Sequence, residues 1–327
     1  MSTRRLAKSA LWSLLNHLLS RGSLMLCAVL LARAFAPAEF AAYSYFQLTV
    51  FMIAAYASMG LGVSASRYFA EVGHARDDGR APPLGMLTAL ALAMALGGAV
   101  LVGLVPGRWL DAGLGLPRWL LAAGVFWAAV GAVSSGAVVG IERFRAACIV
   151  SAISMAAMVA GTLYAARIGS VHAAMATLVG ALALQALGEC AVVARELGRS
   201  GLSQHFRFRR ADGRRVVDFA APMLAVSLLY SSGSWLLGRL ILERDGGQVA
   251  FALYSIGLQW FSLALVLPAM LARVVLPRLV RQGAERATPA HARDLARKGA
   301  AMATLAAAAM AMSGLALGPR LLDLYGG

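Results

Sequence analysis

Apolar residues group into long segments along the chain, and polar residues fall mainly in the short stretches between them. A helix that spans a bilayer needs about 20 consecutive, mostly apolar residues. Nine segments meet this requirement, within 11–33, 40–66, 81–107, 119–141, 146–166, 168–194, 219–241, 246–272 and 299–319. The pattern predicts an all-α polytopic membrane protein with about nine transmembrane helices.

One face of the first segment is polar. Its polar side chains recur at three- and four-residue steps, so a helix places them along one stripe. The stripe includes Asn16, His17, Ser20 and Arg21. A charge at membrane depth is costly and normally faces a bundle interior or a water-filled cavity. We therefore expect this helix to form one wall of a polar, cationic passage.

The composition agrees with a membrane protein. Hydrophobic residues make up 60% of the chain and charged residues 14%, whereas soluble domains are about half apolar and a quarter charged. The net charge of +15 lies almost entirely between the apolar segments. The expected partners are therefore anionic membrane lipids or an anionic lipid-linked substrate, and not nucleic acid.

Lys and Arg residues are distributed unequally between alternate loops. With the N-terminus in the cytoplasm, 22 of the 30 Lys and Arg residues fall in cytoplasmic segments and 7 in outer loops. Short loops rich in Lys and Arg remain on the cytoplasmic side of a membrane. The sequence therefore predicts a cytoplasmic N-terminus.

The chain also matches itself without gaps at an offset of 211 residues. Residues 20–23 fall on 231–234, and residues 40–44 fall on 251–255. The first helix then corresponds to the seventh and the second to the eighth. Six helices separate the copies, so both copies have the same orientation in the membrane. Such a parallel repeat is typical of transporters that bind their substrate between the two repeats.

The repeat predicts a domain organisation. An N-terminal six-helix lobe would occupy 1–194, and a basic cytoplasmic linker would occupy 195–218. The first three helices of a second, incomplete lobe would occupy 219–327. We expect a two-lobe, six-plus-six helix transporter fold whose last three helices are missing from this sequence.

Several short elements resemble a known family. They are the exit of the first helix at 31–40, with Ala36-Pro37-Ala38-Glu39-Phe40, the exit of the second at 60–70, and segments 140–145 and 254–259. The sequence resembles the oligosaccharide and polysaccharide flippases of the multidrug/oligosaccharidyl-lipid/polysaccharide exporter superfamily. It departs from that family where Ala36 and Ala41 replace the usual glycines, and in having nine rather than twelve or more helices.

The resemblance implies two lobes that face each other across a central cavity. It implies a multi-pass protein of the bacterial inner membrane that flips an undecaprenyl-pyrophosphate-linked oligosaccharide, such as an O-antigen, capsule or exopolysaccharide repeat unit, to the outer leaflet. No cofactor is implied, although a proton, a sodium ion or the membrane potential would be compatible as the energy source. A polysaccharide polymerase and chain-length proteins would be compatible partners.

Five residues are candidates for binding substrate in the cavity. The resemblance matches Arg21 to a basic cavity residue on the first helix of the family, where a guanidinium would contact phosphate. The others are His17, Asn16, Gln47 and Gln259, which offer hydrogen bonds to sugar or phosphate. Each has a structural alternative, since an arginine can pair with a carboxylate and the others can hydrogen-bond between helices.

Glu189 is the acid that lies clearly inside an apolar segment, and it shares a helix face with Gln185. An acid in a membrane span is a candidate for coupling transport to a proton or cation. Because Glu189 lies close to the cytoplasmic end of its predicted helix, the sequence favours an interfacial carboxylate over a coupling site.

Two other functions remain open. One is a cation-coupled drug or metabolite exporter of the same superfamily, which should carry acids deep in a lobe. The other is a non-transporting membrane component of a glycan-assembly complex. An enzyme is not expected, because the outer loops are short and the sequence lacks a nucleophile–base pair or a metal-ligand spacing.

Overall fold

The computed structural model describes residues 3–72, 83–199 and 210–264, with a few isolated positions beyond 296. The elements in these ranges are α-helices. They are α1 (Thr3–Ala34), α2 (Pro37–Ser58), α3 (Leu61–Val72), α4 (Leu84–Leu104), α5 (Gly107–Asp111), α6 (Arg118–Gly140), α7 (Phe144–Ile168), α8 (Val171–Arg199), α9 (Arg210–Leu242) and α10 (Gly247–Ala264).

The chain is a multi-pass membrane protein. Six helices in the described residues are long and apolar enough to cross a membrane, and the two segments of α9 together would make a seventh. These correspond to the first seven predicted spans. The eighth is represented by α10, and its remainder lies outside the described residues. The predicted ninth span at 299–319 also lies outside them, apart from isolated positions. The two-lobe repeat stays a prediction.

The second predicted span is broken near its end. The second span was expected within the charge-free segment 40–66 with its exit at 60–70, whereas α2 ends at Ser58 and a separate helix, α3, begins at Leu61. Between them, Met59 and Gly60 have φ angles of 48° and 71°. A left-handed residue ends a helix, and glycine accepts this conformation without strain. The break redirects the chain, so that α3 packs against α6.

The start of α2 explains how two family glycines are replaced by alanine. Pro37 opens the helix, where its missing N–H costs little. The side chain of Glu39 accepts a hydrogen bond from the Ala36 backbone N–H at 3.1 Å. Ala36 has an extended backbone, with φ −62° and ψ 152°, and Ala41 is fully buried. Neither position requires a glycine conformation.

The seventh helix begins earlier than the sequence predicts. A start at 219 would place Pro222 in the first helical turn, but α9 begins at Arg210 and Pro222 lies inside it. An interior proline removes one backbone hydrogen bond and bends a helix. The axes of Gly213–Pro222 and Ser227–Leu242 differ by 52°. Helix therefore extends into both ends of the segment 195–218 that was predicted to be a linker.

Glycines allow α3 and α6 to touch backbone to backbone. A Cβ built at Gly136 of α6 would lie 1.9 Å from the carbonyl oxygen of Gly62 on α3. A Cβ built at Gly62 would lie 2.5 Å from the carbonyl oxygen of Ala132. Small residues permit this close approach, which is a main source of stability between helices in a membrane.

Helix α2 is the most buried of the described spans, and it packs against two groups of helices, the N-terminal helices and α9 with α10. In the most apolar stretch of α2, 67% of the residues are buried, compared with 22% in the corresponding stretches of α1 and α4. Helix α2 contacts α4 and α6 among the N-terminal helices, and it also contacts α9 and α10. Tyr45 of α2 packs against Trp235 of α9 and Phe251 of α10, with ring centroids 6.2 and 5.7 Å apart. Helix α2 therefore links the N-terminal helices to α9 and α10.

Replacing Gly136 with alanine should destabilise the protein, because the new methyl group would collide with the α3 backbone. Overpacking of this kind costs about 1–3 kcal/mol. Thermal unfolding of the purified protein in detergent should show a lower midpoint for Gly136→Ala. Gly97→Ala is the matched control, since a Cβ there meets nothing within 4 Å. Equal midpoints for the two variants would contradict the backbone contact.

Candidate functional site

A cavity of about 620 Å³ lies among α1, α2, α6, α7, α8, α9 and α10. All six residues that were singled out from the sequence line it. They are Asn16, His17 and Arg21 from α1, Gln47 from α2, Glu189 from α8 and Gln259 from α10. The structure thus brings together side chains that are up to 243 positions apart in the chain. The volume of the cavity falls within the range of roughly 300–1,000 Å³ that is common for small-molecule sites.

The polar stripe of α1 faces this cavity. Arg21 is exposed and lines the cavity, and no carboxylate of the described residues lies within 4.0 Å of its guanidinium. The hydroxyl of Ser20 donates to the backbone carbonyl of His17 at 3.2 Å, and that of Ser23 donates to Ser20 at 3.0 Å. The hydroxyl groups of both serines are therefore hydrogen-bonded within α1. Arg21 keeps its donors directed toward an accessible space.

A chain of side-chain hydrogen bonds joins four helices beside the cavity. The Ser151 hydroxyl of α7 donates to Asn16 Oδ1 of α1 at 2.7 Å and accepts from Gln185 Nε2 of α8 at 3.0 Å. Gln185 Nε2 also donates to Glu189 Oε1 at 3.1 Å. The Ser134 hydroxyl of α6 donates to Glu189 Oε2 at 2.8 Å. The network connects the first helix to a buried carboxylate.

The environment of Glu189 differs from the sequence-based interpretation. An interfacial carboxylate would be solvated, but Glu189 is only 1% exposed. Helix α8 continues for ten residues beyond it to Arg199, which places the carboxylate deeper than a helix ending near 194 would. Both carboxylate oxygens accept hydrogen bonds. In the described part of the chain, no basic group lies within 4.0 Å of them.

Several polar atoms at the cavity have no hydrogen-bond partner among the described residues. They are the Ser44 hydroxyl of α2, the Ser154 hydroxyl of α7 and Oε1 of Gln259. Buried polar atoms are normally hydrogen-bonded, so unpartnered ones that line a cavity are positions that water or a polar ligand would satisfy. Sequence reasoning found Gln259 but missed the two serines, because isolated serines are common in apolar helices and usually bond their own backbone.

Helix α9 lines one side of the cavity, and residues one turn apart beside that lining join it to the N-terminal helices. Ser232 hydrogen-bonds to the hydroxyl of Tyr56. Trp235 Nε1 donates to the Thr49 hydroxyl at 3.0 Å. Arg239 extends the same face: it pairs with Glu243 at 2.8 Å and donates to backbone carbonyls of α5. Its guanidinium is therefore held between the two groups of helices, although its position near a helix end would suit an arginine that reaches for lipid headgroups.

A family model described as polysaccharide biosynthesis protein matches residues 6–282. The match covers both groups of helices and every residue named at the cavity. No curated protein and no solved structure matches the chain. The resemblance seen in the short sequence elements is confirmed by this match.

Removing the Ser151 hydroxyl should destabilise the protein, because it would break two hydrogen bonds and separate Asn16 from Gln185. Buried partners left unsatisfied cost about 1–3 kcal/mol. Ser154 provides the control, since it lies on the same helix and its hydroxyl has no partner among the described residues. In equilibrium unfolding, Ser151→Ala should lose stability and Ser154→Ala should not. Similar losses in both variants would argue against the network.

Proposed function

Because the chain belongs to the polysaccharide biosynthesis protein family, we propose that it is a flippase for an undecaprenyl-pyrophosphate-linked oligosaccharide. It moves this lipid from the inner to the outer leaflet of the bacterial cytoplasmic membrane by alternating access. The cargo is an O-antigen, capsule or exopolysaccharide repeat unit. The observation that carries the proposal is the cavity of about 620 Å³ that is lined by both polar and apolar residues and has Arg21 on its wall.

Arg21 supplies the charge that such a cargo needs. A pyrophosphate loses its hydration when it enters a low-dielectric region, and that loss must be offset by charge-assisted hydrogen bonds. The planar guanidinium offers paired donors that fit phosphate oxygens. Among the described residues that line the cavity, Arg21 is the one arginine, and lysine is absent from that wall. His17 lies one turn away and offers a further hydrogen bond to the headgroup.

The neutral residues of the cavity suit the glycan. Gln47, Gln259, Ser44 and Ser154 offer hydrogen bonds of the kind that sugar hydroxyls donate and accept. Apolar residues such as Leu24, Phe51 and Met158 line the rest of the wall. The cavity accommodates the pyrophosphate and its first sugars, while the prenyl chain remains in the surrounding lipid because it gains nothing by leaving an apolar environment.

Glu189 is the candidate for coupling flipping to a cation. Its carboxylate is buried, hydrogen-bonded and without a basic partner in the described residues. A proton or a sodium ion could neutralise it. The change in charge would then alter the hydrogen bonds through Gln185 and Ser151 that connect Glu189 to α1. The same observation favours the second candidate function, a cation-coupled drug or metabolite exporter of the same superfamily. A scaffold role in a glycan-assembly complex would need neither the cavity charge nor Glu189.

The orientation follows from the distribution of basic residues. The N-terminus faces the cytoplasm, where lipid-linked precursors carry their headgroups, and the basic segments contact anionic lipids there. A polysaccharide polymerase and chain-length proteins act on the product at the outer face. The two lobes predicted from the repeat exchange access to the cavity between the two faces.

Replacing Arg21 with alanine should reduce export, because the pyrophosphate loses its paired donors. The loss of hydrogen bonds to a charged group corresponds to a decrease of about tenfold or more. Surface polysaccharide would be measured in cells that lack the chromosomal gene and express the variant. Arg21→Lys should retain part of the activity. Arg145→Ala, an exposed arginine outside the cavity, is the control. Normal export by a correctly inserted Arg21→Ala protein would reject the cavity role.

Replacing Glu189 with glutamine should abolish the dependence of transport on a cation gradient, because glutamine cannot exchange a proton or hold a cation by charge. Reconstituted vesicles with an imposed proton or sodium gradient would measure this dependence. Glu142→Gln, at an exposed position outside the cavity, should behave as the unmodified protein. If Glu189→Gln still responds to the gradient, the coupling role is lost while the flippase proposal stands.

A further inference from the structure

A second recess lies where the N-terminal helices meet the start of α9. It is open, has a volume of about 610 Å³, and is lined by Arg67, Tyr68, Arg214, Arg215, Asp218 and Phe219. We call it the arginine recess. Arg67 and Tyr68 belong to the last turns of α3, and the other four residues belong to the first turns of α9. Two groups of helices that enclose the cavity therefore each contribute arginine to one site.

Aromatic rings hold two of these guanidinium groups in place. Arg67 lies 4.6 Å from the ring centroid of Phe219 and 5.9 Å from that of Tyr68. Arg215 lies 5.7 Å from the Tyr68 ring. Tyr68 is only 1% exposed, and its hydroxyl donates to the backbone carbonyl of Arg215 at 3.3 Å. The rings of Tyr68 and Phe219 thus position the guanidinium groups of Arg67 and Arg215, which would otherwise repel one another.

The carboxylates in this region do not occupy all the donors of the arginines. Glu71 pairs with Nε of Arg67 at 2.9 Å, and Asp218 approaches Nε of Arg214 at 3.7 Å. Both are exposed i,i+4 pairs, which stabilise weakly. They leave the terminal guanidinium nitrogens available for other acceptors. Arg215 has no carboxylate within 4.0 Å among the described residues.

We propose that the arginine recess binds a phosphate-bearing headgroup at the membrane surface. Three arginines, one from α3 and two from the first turns of α9, provide paired, charge-assisted donors of the kind that bind phosphate. The recess is on the side of the membrane where basic segments are concentrated. The ligand is either the pyrophosphate of the lipid-linked cargo or the phosphate of an anionic phospholipid. The first identity rests on the proposed function and makes the recess a docking site used before the cavity.

Protection from arginine modification tests this proposal at single residues. The purified full chain would be treated with phenylglyoxal, and modification of each arginine would be followed by mass spectrometry. One arm contains undecaprenyl pyrophosphate in mixed micelles, a second contains phosphatidylglycerol at the same concentration, and a third contains neither. Arg145 is the internal reference, because it is exposed on the same side of the membrane and lies outside the recess.

A bound phosphate should slow modification of Arg67 and Arg215 by about tenfold, the effect expected when charged hydrogen bonds must break first, and should not slow that of Arg145. In Arg215→Ala, protection of Arg67 should be lost, whereas Arg145→Ala should leave it intact. Protection by undecaprenyl pyrophosphate alone identifies the cargo as the ligand. Equal protection by phosphatidylglycerol supports the phosphate site with membrane lipid as its source.

Modification of Arg67 and Arg215 at the same rate in all three arms would overturn the proposal. This outcome is distinguishable from failure of the proposed function. Loss of export in Arg21→Ala without protection in the recess would leave the flippase standing and remove the docking site. Protection in the recess together with normal export by Arg21→Ala would keep the phosphate site and reject the role of Arg21 in the cavity.

Discussion

The free-energy cost of polar groups in hydrocarbon governs how these helices are arranged. Helix α1 carries a polar stripe and so cannot face lipid on all sides. Its polar face lines the cavity, and the same face continues toward the end of the helix with Cys27 and Leu31, which are fully buried. A second face, with Leu11 and Leu18, is exposed, as expected for contact with lipid. One helix thus defines the boundary between cavity, protein interior and bilayer.

Polar side chains inside the protein avoid this free-energy cost in two ways, by hydrogen bonds to one another or by access to the cavity. Asn16, Ser151, Gln185, Glu189 and Ser134 satisfy one another through a continuous network. Arg21 is instead satisfied by access to the cavity. The difference has a functional meaning under the proposed mechanism, because a residue with available donors can bind a passing anion. The network residues can hold α1, α6, α7 and α8 together while the cavity changes its accessibility.

The contact between α2 and α9 joins the two groups of helices. Under the proposed alternating-access mechanism, a motion that changes access to the cavity would alter this contact. Ser232, Trp235 and Arg239 lie one turn apart on α9 and bind Tyr56, Thr49 and the backbone of α5. By contrast, the crossing of α3 and α6 at Gly62 and Gly136 is a backbone contact with no space to slide. The N-terminal helices are therefore expected to move as one unit.

The long apolar segments predicted the first seven membrane spans, and the polar stripe of the first segment predicted that Asn16, His17 and Arg21 share one helix face. Arg21 and Glu189 could be singled out because a charged side chain within an apolar segment is costly in lipid and therefore normally faces the protein interior or a water-filled cavity. The exit of the second helix was expected at 60–70, close to the observed break at Met59–Gly60, but the separate helix α3 that follows was not predicted. The early start of α9 was missed because its first turns are basic and resemble a loop. The partners of Ser134 and Ser151 depend on which helices become neighbours, and this is a tertiary property.

Translocation by the reconstituted protein tests the central claim most directly. Vesicles would contain the full chain and an undecaprenyl-pyrophosphate-linked oligosaccharide on the inner leaflet, and appearance of the glycan outside would be followed with an impermeant glycosidase. The account predicts glycan outside the vesicles much faster than in protein-free vesicles. Equal rates with and without the protein would contradict it.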